Sequence, residues 1–80
     1  MMIEALQAAL AARDIAALAA KGHELKGMAG NFGMMEISHM AGEIEKHAKL
    51  GSIDTTIEAI IADLPHAKAR ADAALAEWLQ

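Results

Sequence analysis

IAALAAKGHELKGMAGNFG, residues 15–33, places its apolar positions at Ile15, Leu18, Gly22, Leu25, Ala29 and Phe32. The intervals alternate between three and four, the spacing of a helix that buries one seam inside a packed bundle. Asp14 stands just before this run, where its carboxylate can accept from the N–H groups of the first turn, and Gly33 stands just after it as a natural stop. Working outward, Ile3, Leu6 and Leu10 predict a helix over about Met2 to Ala12. Ile37, Met40, Ala41, Ile44 and Ala48 predict another from about Met34 to Leu50, with Glu36, Glu43 and Lys46 off the stripe and Gly51 ending it. A fourth, capped by Asp54 or Ser52, carries Ile57, Ile60, Ile61, Leu64, Ala71, Ala74, Leu75 and Trp78. Pro65 falls inside it, and an interior proline costs a helix about 3 kcal/mol, so a kink or local break is expected near Ile61 to Pro65.

Short connections between four amphipathic helices predict an all-α, antiparallel up-and-down four-helix bundle. The chain of 80 residues is read as one domain over 1–80. Composition agrees: 55% of residues are hydrophobic but only 2% aromatic, dominated by Ala, Leu, Ile and Met rather than by the residues strands prefer. A first helix this short raises the question of whether the Ile57, Ile61 and Leu64 stripe is covered within one chain; a monomer is expected. Met28, Met34, Met35 and Met40 are read as core filler at helical spacing.

With no cysteine, neither a disulfide framework nor a thiolate metal site can form, and a cytoplasmic location is expected. Uncharged runs such as Ile15 to Ala20 are too short to cross a bilayer, so no membrane insertion is expected. Seven Lys and Arg against 11 Asp and Glu give a net charge of −4, and the basic residues are scattered, which argues against a nucleic-acid partner.

The second helix holds the sequence's most unusual feature. Gly22, Gly27 and Gly30 surround His23, and each interior glycine costs about 0.5–1 kcal/mol relative to alanine. On a helical wheel His23 lies roughly 130° from the centre of the apolar seam and so points to solvent. Ala16, Ala19 and Ala20 precede it on the same face, and Lys26, Gly27 and Gly30 follow. Apart from Lys26, every neighbour is Gly or Ala. Gly22 lies on the seam and can equally serve close helix packing, a reason that does not extend to Gly27 or Gly30. An exposed imidazole, mostly neutral at cellular pH, offers a free ring nitrogen as nucleophile, and a cation three residues on can stabilise the oxygens of a group transferred to it. That combination suits phosphoryl transfer. No oriented Ser, His and Asp set for acyl transfer is apparent.

HELKGMAGNFG, His23–Gly33, together with the downstream EIEKHAKLG, Glu43–Gly51, resembles the signature of the histidine phosphotransfer (HPt) domains of bacterial phosphorelays and chemotaxis kinases. The resemblance extends over about Asp14 to Leu79. It implies that His23 is the phosphoacceptor, Lys26 the charge stabiliser, and Gly27 and Gly30 the clearance for a docking partner over Ala16, Ala19 and Ala20. The implied partners are a response-regulator receiver domain and a sensor or hybrid histidine kinase. The chain would be a phosphoryl carrier rather than an enzyme, with no cofactor of its own and Mg²⁺ supplied at the receiver. Sensor-kinase dimerisation helices instead follow their histidine with Glu, Leu, Arg, Thr and Pro.

Other readings are weaker. His39, His47 and His66 form neither an i, i+4 His pair nor an HExxH motif, so no metal site is expected. Glu43 and Glu45 could be an acid/base pair, but charged residues on adjacent turns are read as a solvated face. A non-catalytic helical interaction or dimerisation module is the alternative function, and it would carry no acid-labile, base-stable phosphate.

Overall fold

The computed structural model describes residues 2–78, the side chain of Trp78 excepted. Four helices follow one another: α1 (Met2–Ala11), α2 (Ile15–Asn31), α3 (Met35–Ala48) and α4 (Thr55–Trp78). α1 packs on α2, α2 on α3, α3 on α4, and α4 returns to α1, closing an all-α up-and-down four-helix bundle. Among the described residues no helix is long and apolar enough to cross a membrane.

Local chemistry sets each boundary. At the end of α1 Arg13 adopts a left-handed φ of 55°, and Asp14 N–H donates to Ala9 O at 2.9 Å. Asp14 then caps α2 as expected, its Oδ1 accepting from Ala17 N–H at 3.1 Å. α2 ends at Gly33, whose φ of 75° favours a residue without Cβ. Met34 N–H donates to Ala29 O at 2.8 Å and Gly33 N–H to Gly30 O at 3.1 Å, a Schellman closure. Asp54, rather than Ser52, opens α4 by accepting from Ile57 N–H at 2.9 Å.

Leu6, Leu18, Ile44, Ile57 and Leu64 are the largest fully buried side chains, one or two from each helix. Ile57, Ile61 and Leu64 are all buried within one chain, so the short first helix does cover that stripe. α4 runs unbroken through Pro65, so of the expected kink or local break the break does not occur. Leu64 and Ala67, buried on either side of the proline, press both halves of the helix against the bundle and offset the missing hydrogen bond.

The apolar stripe outlasts the core. α4 has 24 residues against 10, 17 and 14 in the other helices, so its C-terminal turns pass beyond them. Ala71 is half-buried, Ala74 and Leu75 are exposed, and the Trp78 side chain lies outside the described residues. Phe32, expected on the α2 seam, is the C-cap and is 75% exposed, because the chain has already turned away from the bundle there. Met34 and Met40 are half-buried, but Met28 and Met35 are exposed rather than core filler.

The closest approach of two helices that bears on function is at Gly22, which is buried. A Cβ there would lie 3.1 Å from both Ala41 O and Glu45 N and 3.4 Å from Glu45 Cα. These are backbone atoms of a regular helix, so α3 as a whole would have to move. Gly22 is therefore a packing glycine. Gly22→Ala is expected to gain about 0.5–1 kcal/mol of helix propensity and to lose about 1–3 kcal/mol to overpacking. A net destabilisation of about 1 kcal/mol should appear in chemical denaturation; a more stable variant would show that α3 yields freely.

Candidate functional site

His23 sits midway along α2, with its side chain 67% exposed, as the helical wheel requires. Its surroundings are less bare than one helix in isolation suggests. Glu45 of α3, adjacent to the Gly22 contact, lies against the imidazole with its Oε2 2.9 Å from His23 Nδ1. An ionised carboxylate can only accept, so Nδ1 carries the proton and donates it to Oε2. The neutral ring then keeps its lone pair on Nε2, which makes no hydrogen bond to another group among the described residues.

Glu45 corrects the reading of a solvated acidic face. Its side chain is only 7% exposed, and two ammonium groups close on it: Lys26 Nζ is 3.0 Å from Oε1 and Lys49 Nζ is 3.0 Å from Oε2. Lys26, then Lys49, then His23 hold its carboxyl down to about 2, against an ordinary 4.5. Glu43, by contrast, is half-buried and reaches only His47, at 3.6 Å.

Lys26 reaches the carboxylate by laying its aliphatic stem over Gly42 of α3, where a Cβ would come within 3.1 Å of Lys26 Cδ. Its backbone is also tied across, since Ser38 Oγ–H donates to Lys26 O at 3.0 Å. Two lysines against one carboxylate leave a positive balance beside the nucleophilic nitrogen, suited to an anionic group arriving there.

Ala16, Ala20, Gly27 and Gly30 are exposed along the His23 face, and Ala19 is half-buried against the core. A Cβ on Gly27 would meet nothing within 4 Å, and one on Gly30 would meet only Ser38 Oγ, at an ordinary 3.5 Å. Neither glycine is required by packing inside the chain. Of the other histidines, His39 and His66 are exposed, and His47 donates from Nδ1–H to Asp54 Oδ2 at 2.7 Å, joining the end of α3 to the start of α4. The Ile57 N–H bond, followed by His47, holds the Asp54 carboxyl below its ordinary range.

His23 thus presents a free nitrogen on a proton-fixed imidazole, beside a lysine, on an exposed helix face of a four-helix bundle. The model of the Hpt domain family matches residues 1–79. The chain belongs to the Hpt family. No curated protein and no solved structure matches it. Hpt domains are phosphocarrier modules of two-component phosphorelays rather than enzymes, and they interact with receiver domains and kinases.

Gly42 and Lys49 of this Hpt domain escaped the sequence reading, and Glu45 was read there as part of a solvated face. They are spaced by three and four, and each follows directly on a buried Ala41, Ile44 or Ala48. That row flanks the core stripe and faces whatever packs beside α3. The depressed Glu45 value carries a pH consequence. Because the folded carboxyl binds its proton less readily than the unfolded one, its contribution is present above about pH 4.5 and is lost as pH falls toward about 2. Denaturation series across that window should show wild type losing stability more steeply than Glu45→Gln. Parallel slopes would show that Glu45 gains nothing from its cations.

Proposed function

We propose that this Hpt domain accepts a phosphoryl group on His23 Nε2, from a receiver-domain aspartyl phosphate or from a sensor or hybrid histidine kinase, and relays it to a response-regulator receiver. The observation that carries this reading is the hydrogen bond of 2.9 Å from His23 Nδ1 to the buried Glu45, made by a ring that is otherwise exposed.

The Nε2 lone pair attacks phosphorus. The bond from phosphorus to the receiver's aspartyl oxygen breaks with its electron pair, which leaves on that carboxylate, and an N–P bond forms. No proton has to depart from Nε2, because none is there. The positive charge that the ring gains is delocalised onto Nδ1–H and met by the Glu45 carboxylate, while the Lys26 ammonium can stabilise the equatorial oxygens. The reverse sequence returns the group to a second receiver. Glu45 acts equally in both directions, since it neither gives up nor takes a full proton. The receiver supplies Mg²⁺ and aligns the reacting groups, and the domain functions in the cytoplasm.

Gly27, Gly30, Ala16, Ala19 and Ala20 supply the docking face. With no side chain larger than a methyl group at these five positions, a receiver's active-site rim can come down until phosphorus and Nε2 are within reach.

Incubation with a phosphorylated receiver tests the assignment. Wild type should acquire acid-labile, base-stable phosphate, and His23→Gln should acquire none while melting at a similar temperature, since its side chain is exposed. Undiminished labelling of that variant would remove His23 from the role. At Gly27 stability and transfer should move in opposite directions. Gly27→Leu meets open space and should gain up to about 1 kcal/mol of helix propensity, yet transfer should fall, about a hundredfold for each ångström by which the receiver is held off. Unaltered transfer in the Leu variant would place the receiver elsewhere.

A further inference from the structure

Three donors share the two oxygens of Glu45, and they share them unequally. Oε1 faces Lys26 alone, at 3.0 Å. Oε2 faces both His23 Nδ1, at 2.9 Å, and Lys49 Nζ, at 3.0 Å. The oxygen that orients the imidazole is therefore the one Lys49 holds, and Lys26, three residues after His23 on α2, holds the other.

We propose that Lys49 is a positioning residue: it keeps Glu45 Oε2 against His23 Nδ1 while Lys26 leaves Oε1 and turns to the arriving phosphoryl group. The proposal rests on the reading of His23 as phosphoacceptor.

The need for a second cation follows from burial. With its side chain 7% exposed, Glu45 has little water to fall back on, and a carboxylate left unpaired in such a place is costly. Were Lys26 its sole cation, every movement of Lys26 toward phosphate would strip the carboxylate of its counter-charge just as the ring becomes cationic. Glu45 would then follow Lys26 outward or draw the Nδ1 proton fully across. Lys49 removes that conflict. It lies four residues after Glu45 on the same helix, in the favourable Glu-to-Lys order, so its reach is set by helical geometry and not by what happens at His23. It is also the C-cap residue of α3, where a cation is stabilised by the helix dipole. Lys26 differs on each count. It stands on the other helix, reaches Glu45 by a stem laid over Gly42, and belongs to the same helix as the nitrogen that receives phosphate.

An ordinary exposed ion pair would explain the 3.0 Å contact and nothing more, so the test reads the imidazole itself. The tautomer of His23 is measured by long-range ¹H–¹⁵N NMR on the full, unphosphorylated chain at about pH 8.5, above the usual range of imidazole titration. Wild type should be the Nδ1–H form. Lys49→Gln should raise the Nε2–H population about threefold or more as Oε2 loses its hold, and Lys49→Arg should restore the wild-type ratio. Lys26→Gln should leave the ratio unchanged. With a phosphorylated receiver as donor, both Gln variants should transfer more slowly, by about tenfold, but only the Lys49 variant should do so with an altered tautomer.

A wild-type tautomer ratio in Lys49→Gln overturns the proposal, as does a shift in Lys26→Gln equal to that in Lys49→Gln. If the wild-type chain takes up no phosphate at all, the acceptor reading falls, while the tautomer ratios still decide whether Lys49 holds Glu45 in place.

Discussion

A hydrogen atom in place of a methyl group at Gly22 lets the backbone of α2 lie directly against Ala41 and Glu45 of α3. The candidate site depends on that contact. Glu45 starts a short distance from the α2 axis, so its side chain reaches His23 while remaining almost wholly covered. A wider spacing would leave the carboxylate in water, where a hydrogen bond to an imidazole is worth less and fixes no tautomer. The glycine adjoining the histidine is thus structural, and it serves the chemistry by setting the distance between two helices.

Burial gives Glu45 its influence and also its cost. A carboxylate in this position is tolerated because the Lys26 and Lys49 ammonium groups and an imidazole N–H satisfy its oxygens, leaving no buried side-chain donor or acceptor unpartnered among the described residues. The same three donors leave Nε2 outside the network. The groups that position the ring lie on the bundle side, and the side facing solvent is left to Gly and Ala.

The fold was legible because every helix carries an apolar stripe, and α2 and α4 are marked by boundary residues as well. Asp14, Gly33 and Asp54 act where their chemistry places them. His23 was legible as well, since its distance from the seam is a property of α2 alone. Glu45 was not, because a helical wheel carries no information about the neighbouring helix, and a Glu between Ile44 and Lys46 has the pattern of a surface residue until α2 is laid beside it. Phe32 and Leu75 misled for a related reason. Periodicity extends a stripe as far as the apolar residues run, whereas burial stops where the partner helices stop, and α2 has turned by Phe32 while α4 has outrun its neighbours by Leu75. Pro65 was weighed by its local cost, and the core on both sides of it proved the stronger influence.

The overhang of α4 gives the molecule two regimes of stability. As far as Ala67 its hydrogen bonds are locked behind a side chain that is buried in the core, and they can break only when the bundle as a whole comes apart. Past Arg70, which is joined to Glu36 of α3 by a pair of exposed contacts at 3.0 and 3.2 Å, only half-buried Ala71 among the described residues still touches the core. Residues 72–77 are all exposed, and a stretch of helix that buries no side chain is marginal in water. Amide protons there should exchange with solvent through local fraying, orders of magnitude faster than those around Leu64, without the bundle opening at all.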